Sequence, residues 1–359
     1  MNISNVSHHG NTSGLDCPEF KETPLTQFFK TSAYVLIIVL SLVGNSTVIY
    51  VVLNHRARSM TDTFVANLAA SDILITFTGM PNMITEQYIR HWVFGPIVCK
   101  LVVYLQSVSV ASSVLTLLAV TIDRFISIVF PLRGRIALSK AKYIVAVTWI
   151  ISLSIMAPLI DAQKAKQFPD GMYYCIEEWQ PPFNPLEAPK SFTVLLFVVM
   201  YVAPLLTMAV LYCAICRTLW KRTSPGARIT RTETHLQRSR KRVLKMLLAV
   251  TLLFAVCWLP LWIFQFIMFF SPQTFPCFSK PFYFVSLFLG HSNSAINPFL
   301  YSFFNANFRE GFRRACGCCR RQHRVYPGLL VACSNRGAAR AAEDSQMRPT
   351  HQLATVPRP

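Results

Sequence analysis

The sequence predicts an all-α protein: a bundle of seven membrane-crossing helices followed by a short amphipathic helix. Three observations predict it. Of 359 residues, 53% are hydrophobic and only 14% charged, whereas charged residues make up about a quarter of an ordinary soluble domain. Seven apolar stretches, near 32–53, 64–86, 97–129, 143–160, 191–219, 243–270 and 281–304, reach the roughly 20 residues needed to cross about 30 Å of hydrocarbon. Charge alternates with loop parity. The segments on the far side from the N-terminus hold 27 Lys and Arg against 6 Asp and Glu, the near side holds 8 against 9, and Asp72 lies within a span. The net charge of +19 is thus a positive-inside signature that places the C-terminus in the cytoplasm.

Taken in order, residues 1–30 form an extracellular N-terminus with no basic-then-apolar secretory pattern, so the first span is expected to act as its own insertion signal. Three glycosylation sequons, at Asn2, Asn5 and Asn11, require an exposed, extracytoplasmic chain. Residues 31–305 carry the seven spans. The cluster Arg238-Ser239-Arg240-Lys241-Arg242 directly abuts span six, so orientation, anionic lipid and a cytosolic partner account for it and nucleic acid does not. Residues 306–319 place Phe308 and Phe312 four apart among basic residues, the spacing of an interfacial helix with its apolar face toward lipid. Cys316, Cys318 and Cys319 follow and are juxtamembrane candidates for palmitoylation. Residues 320–359 read as a disordered cytoplasmic tail.

Cys17, Cys99, Cys175 and Cys277 fall on the outer side. Four cysteines permit three pairings, and sequence alone does not choose. Topology favours Cys99 with Cys175, because Cys99 begins span three and the long second outer loop carrying Cys175 passes over it.

Ionisable and amide groups within apolar spans cost free energy unless they face an internal polar cavity. Asn45, Asp72, Asn293 and Asn297 occupy such positions and read as a buried polar network able to hold a small cation. Asp123-Arg124-Phe125 ends span three, Phe254 to Pro260 includes Cys257-Trp258-Leu259-Pro260 in span six, and Asn297-Pro298-Phe299-Leu300-Tyr301 ends span seven. With Gly44-Asn45, Leu68 to Asp72, Trp149, Pro204 and Tyr212, these motifs run in order through all seven spans. In them the chain resembles the rhodopsin-like G-protein-coupled receptors.

The resemblance implies a multi-pass plasma-membrane receptor and no enzyme. Its partners would be an extracellular ligand, a heterotrimeric G protein, the bilayer, and arrestin and receptor kinase at the tail. It implies that Asp123 holds Arg124 at rest, that Pro260 kinks span six above Phe254 and Trp258, and that Tyr212, Asn297, Pro298 and Tyr301 complete the activation switch. Asp72, Ser113, Asn293 and Asn297 match the family's sodium pocket, so no cofactor beyond an allosteric sodium ion is expected. Val114 stands where the family usually has isoleucine in its internal Pro-Ile-Phe trio.

Two ligand classes lack their chemistry. Retinal needs a lysine in span seven, where His291 stands, and a cationic amine needs an acid in span three, where Gln106 stands. The chain looks most like the neuropeptide FF, RFamide (QRFP) and orexin receptors, with tachykinin receptors also near. The likeness rests on Gln106, Ser107 to Leu117, Cys175 to Trp179, Trp258 to Trp262 and Asn305 to Phe312. Ligands of the first two groups end in Arg-Phe-amide. Glu177 and Glu178 would face the arginine, Gln106, Gln265 and His291 the terminal amide, and Trp179, Trp262 and Phe266 the aromatic ring. There are departures. Phe269 occupies a position where several such receptors have an acid. Cys17 and Cys277 could bridge as in chemokine and angiotensin receptors, which keeps another peptide type open. A channel or transporter would need repeated intramembrane charges, and Asp72 is nearly alone; a ligandless, constitutively active receptor is the remaining alternative.

Overall fold

Helix α1 (Pro24–Asn54) begins before the first apolar stretch, within the region expected to be the extracellular N-terminus. Pro24 suits a first helical position, and the Thr23 hydroxyl accepts the Thr26 N–H at 3.3 Å. At 1.5 Å per residue the helix is roughly 46 Å long, more than the roughly 30 Å of a hydrocarbon core. This computed structural model describes residues 23–54, 59–130, 138–221, 231–271, 279–304 and 308–313. The glycosylation sites Asn2, Asn5 and Asn11, the Cys17–Cys277 pair, the acylation candidates Cys316, Cys318 and Cys319, and the tail lie outside the described residues.

Span two is two helices, α2 (Met60–Thr78) and α3 (Met80–Tyr88). A capping box starts α2: the Ser59 hydroxyl accepts the Asp62 N–H at 3.2 Å, and the Asp62 carboxylate accepts the Ser59 N–H at 2.8 Å. The break at Gly79 has its cause in Pro81, which lacks an N–H and whose ring would collide with the Phe77 carbonyl in a continuous helix. Span three is α4 (Gly95–Val129). Span four is α5 (Leu138–Met156), continued by α6 (Pro158–Ala162).

The loop between spans four and five folds back as an antiparallel hairpin of β1 (Gln163–Gln167) and β2 (Tyr173–Glu177), with Ala165 opposite Cys175. In its turn, the Met172 N–H and then the Tyr174 hydroxyl hold the Asp170 carboxyl below the usual range. Span five is α7 (Ala188–Phe197), a π-helical turn (Val198–Val202) and α8 (Ala203–Lys221). The wide turn directly precedes Pro204, which has no N–H to give the preceding turn. Helices α9 (Arg231–Phe270) and α10 (Ser279–Phe304) are spans six and seven.

Helix α4 packs against α2, α5 and α8, while α10 packs against α9, α1 and α2. Polarity is inverted relative to a soluble bundle. Val210 and Val256 are each 68% exposed, whereas Asn45 and Ser112 are 0% exposed. Apolar residues outside and amides inside suit a bundle whose surroundings are lipid. Among the described residues, six helices are long and apolar enough to cross a membrane by composition alone. The remaining long helix, α10, carries the inward-facing Ser286, His291, Asn293, Ser294 and Asn297, which dilute its hydropathy. Gly44 lets α1 approach α10 closely, since a Cβ there would lie 2.8 Å from the Pro298 ring.

Residues 308–313 are helical, but the expected lipid-facing side is corrected. Phe308 is buried with its ring 6.1 Å from that of Tyr301, and Phe312 packs on the same core. Gly311 lies so close to Val51 that a Cβ would reach within 2.5 Å of it. The apolar face meets the bundle.

Candidate ligand cavity and switch

A cavity of about 230 Å³ opens between α3, α4, α7, α9 and α10 under the hairpin. Its roof is fixed covalently. Cys99, near the start of α4, is bonded to Cys175 of β2, with 5.6 Å between their Cα atoms. The Trp92 N–H adds a 2.6 Å bond to the Tyr173 carbonyl, and the Glu178 N–H a 2.8 Å bond to the Ala162 carbonyl. These ties hold the hairpin over the bundle and set where its acids stand.

Of the sequence-predicted ligand residues, Gln106, Glu177, Trp262, Gln265 and His291 line the cavity, and so do Trp258 and Phe254. Glu178, Trp179 and Phe266 do not, and their expected contacts are corrected. Glu178 is bound to Lys166 at 2.8 Å across the hairpin. Trp179 is buried against Phe183 and Phe192, its indole N–H donating to Glu177 at 2.7 Å. Phe266 packs against Phe197 with 4.9 Å between ring centroids. Alternation explains the split between the acids: Glu177 ends a strand and Glu178 follows it, so neighbouring side chains turn to opposite sides.

The polar floor is a chain of three residues from three helices. The Gln106 amide nitrogen lies 3.1 Å from His291 Nε2, and His291 Nδ1 lies 3.4 Å from the Tyr34 hydroxyl. An amide nitrogen only donates, so Nε2 accepts and the ring proton sits on Nδ1 toward Tyr34. Gly79 makes room for this pair. A Cβ there would come within 2.7 Å of Gln106 Oε1 and 2.8 Å of His291 Nε2. Tyr34, Gly79, Asn82, Glu86 and Tyr283 were not singled out in the sequence. Pro81, the cause of the break beside Gly79, was the signal that could have found that segment.

Deeper in the bundle, the Phe254 ring lies 6.1 Å from Trp258. Val114 is buried in the same core as Phe254. Below these, Asp72 Oδ2 accepts the Asn297 side-chain N–H at 2.9 Å, and Asn45 donates to the Ser294 carbonyl at 3.0 Å. Asp72 Oδ1, Ser113 Oγ, Asn293 Oδ1 and Asn297 Oδ1 are buried without a hydrogen-bond partner. Uncompensated buried oxygens are costly. A carboxylate with neutral oxygens is the donor set a hard cation takes, so these residues fit a small cation. Among the described residues no three His, Cys, Asp or Glu cluster as a transition-metal site.

Toward the C-terminal end of α4 Arg124 is held twice. Its Nη2 donates to Asp123 Oδ2 at 2.6 Å and to the Thr61 hydroxyl at 2.5 Å, and its Nε adds a 3.1 Å bond to Asp123. Thr61 on α2 is a partner that sequence reading missed. Tyr212 on α8 stands between Thr121 on α4 at 3.0 Å and Thr251 on α9 at 3.3 Å. Pro260 and Pro298 lie inside continuous helices, and Tyr301 is buried.

Comparison with known proteins agrees with this arrangement. The family described as 7 transmembrane receptor (rhodopsin family) matches residues 44–301. Neuropeptide FF receptor 2 of Rattus norvegicus is 33% identical over 308 residues, 81% of this chain and 73% of the relative. A QRFP-like peptide receptor of Branchiostoma floridae is 33% identical over 306 residues, 82% and 78% of the two chains. The RYamide receptor of Drosophila melanogaster is 34% identical over 322 residues, 86% and 67%. The disulfide over the cavity, the inverted bundle and the guarded Arg124 therefore stand in a chain that belongs to the rhodopsin family of 7 transmembrane receptors.

Proposed function

We propose that this receptor binds an amidated neuropeptide of the Arg-Phe-amide kind from outside the cell and activates heterotrimeric G proteins within it. One observation carries the reading: a single cavity is lined by an acid, Glu177, under the hairpin, by a neutral polar pair, Gln106 and His291, and by the indoles of Trp258 and Trp262. A peptide ending in arginine, an aromatic residue and an amide presents a cation, a ring and an uncharged polar terminus, which matches those features. Relatives named for neuropeptide FF, QRFP-like peptide and RYamide support the same class. The charge asymmetry of the loops supports an orientation with the N-terminus and the cavity outside and Arg124 inside. Arrestin and receptor kinase belong with this reading as cytoplasmic partners.

The test is binding and second-messenger response of cells expressing the chain to a panel of amidated peptides and their free-acid and citrulline forms. Reversal of charge in Glu177→Lys should weaken an arginine peptide by roughly 10-fold or more while changing the citrulline analogue little, as expected for loss of a partly desolvated ion pair. Glu178→Lys should distinguish the two analogues far less, because that carboxylate is already engaged by Lys166 at 2.8 Å. Equal losses for both analogues in Glu177→Lys would show that the residue shapes the loop and does not bind arginine.

The unpartnered oxygens around Asp72 support an allosteric sodium ion held by Asp72, Ser113, Asn293 and Asn297, with Asp72 supplying the charge. Sodium bound to the resting state would lower agonist affinity by mass action. Asp72→Asn is expected to abolish the difference in agonist affinity between sodium and N-methylglucamine buffers of equal ionic strength; a difference of unchanged size would refute the site.

A further inference from the structure

The hairpin over the cavity has an inner and an outer face, and the disulfide identifies them. Cys175 is bonded to Cys99 of α4, so its side chain points into the bundle. Side chains alternate along a strand, and residues directly opposite on the neighbouring strand share a face. Glu177, two places on from Cys175, and Gln163, paired with Glu177 in the register, therefore stand side by side on the inner face, with their Cβ atoms about 5 Å apart. Both line the cavity. Lys166 falls on the other face, where it meets Glu178.

Gln163 is 2% exposed, and a buried carboxamide ordinarily makes its hydrogen bonds within the protein. This one does not. Its Oε1 lies 3.9 Å from Cys175 Sγ, but a disulfide sulfur has no hydrogen to give, and among the described residues the amide makes no other hydrogen-bond contact. Either end of the amide can turn into the cavity without breaking a bond. Glu177 is held differently. The Trp179 indole N–H donates to its Oε1 at 2.7 Å, which steadies the carboxylate and leaves its second oxygen and its charge for a ligand. No Lys or Arg is among the described residues that line this cavity.

We infer that Gln163 is the second acceptor of an arginine clamp: Glu177 supplies the charge, and the Gln163 amide oxygen takes an N–H that the carboxylate leaves unused. A guanidinium is a planar fork of five N–H groups, so one edge can meet the carboxylate while another N–H reaches the neighbouring oxygen. An ammonium pairs with the carboxylate as a compact point charge and gains little from a second, neutral acceptor. The residue that selects for positive charge and the residue that selects arginine over lysine are then separate. The inference rests on the amidated-peptide reading above and names how its arginine is recognised.

The experiment uses the full-length receptor in membranes and peptides that differ only in the residue before the terminal Phe-amide: arginine, lysine, citrulline or symmetric dimethylarginine. Wild type should bind the arginine peptide about tenfold tighter than the lysine peptide, the scale of one hydrogen bond to a charged group. The dimethylarginine peptide keeps the charge but blocks the fork, so it should bind wild type about as weakly as the lysine peptide. Gln163→Met keeps the volume and loses the amide, and Gln163→Asn draws the amide back by one methylene. In both, the gap between arginine and lysine should shrink to roughly threefold or less, while the lysine peptide keeps its wild-type affinity. Both should still prefer lysine to citrulline, because that preference belongs to Glu177. An unchanged gap in Gln163→Met, equal weakening of the arginine and lysine peptides, or a wild type that binds lysine or dimethylarginine as tightly as arginine would overturn the clamp and leave the amidated-peptide reading standing. Failure of every peptide to bind the wild type would overturn that reading and the clamp with it.

Discussion

Arg124→Ala is expected to leave agonist binding near its wild-type value and to remove G-protein activation, at equal surface expression. The guanidinium sits toward the C-terminal end of α4, 18% exposed, and does not line the cavity, so its loss should not touch ligand contacts. What it supplies is a permanent cation that the resting bundle holds in place and a transducer can recruit. The resting grip is legible in the geometry, with two bonds to Asp123 and one to Thr61. Asp123→Asn should therefore raise basal signalling. A charge-assisted bond is worth about 1.5–3 kcal/mol against about 1 for a neutral one, so a change of roughly 1 kcal/mol, near fivefold in the resting-to-active ratio, is the scale. Thr61→Val, which removes only the link to α2, should raise it less. Nucleotide exchange on purified G protein with and without agonist measures all three. Normal agonist-driven exchange by the arginine variant would remove Arg124 from the switch, and lower basal exchange in Asp123→Asn would show that the carboxylate does not restrain it.

The sequence spoke clearly wherever one physical constraint acts on a contiguous stretch. Apolar length, loop charge and the order of the short motifs identified seven spans and the family, because the bilayer imposes each of them locally. Boundaries were less legible. The apolar run starts near residue 32, while the helix itself starts at Pro24, where backbone geometry and not hydropathy decides. Phe308 and Phe312 have the spacing of an apolar face, but whether that face meets lipid or protein depends on a long-range neighbour, Tyr301 with Val51 beside it. The ligand residues divide in the same way. Glu177 and Glu178 are equivalent as letters, and only the hairpin register gives one to the cavity and the other to Lys166. Trp179 and Phe266 were aromatic candidates that packing claimed first. Thr61 and Tyr34 act through partners 63 and 257 residues away, and no local pattern marks such pairs.

Gln106→Ala is expected to weaken an amidated agonist by about 5- to 150-fold, the range for removing one buried hydrogen-bond partner at about 1–3 kcal/mol. The free-acid form of the same peptide should lose much less. In the resting floor Gln106 spends its amide nitrogen on His291 Nε2 at 3.1 Å, while its Oε1 faces the space above Gly79. An incoming carboxamide can donate to that oxygen and accept from the amide nitrogen; a terminal carboxylate only accepts, and it brings a charge to a site with no cation among the described lining residues. His291→Ala should cost less than Gln106→Ala, since it frees the Gln106 nitrogen for the ligand even as it leaves the Tyr34 hydroxyl unpartnered. Gly79→Ala separates geometry from chemistry. It keeps both polar side chains but puts a Cβ within 2.7 Å of Gln106 Oε1, so Gln106 must swing away, and the amidated agonist should weaken almost as much as in Gln106→Ala. The double variant should then lose little more than either single one, because the two changes disable the same bond. Full additivity in that cycle would place the effect of Gly79 in the packing of α3, and an agonist indifferent to amidation in the wild-type receptor would remove the Gln106–His291 pair as its recognition site.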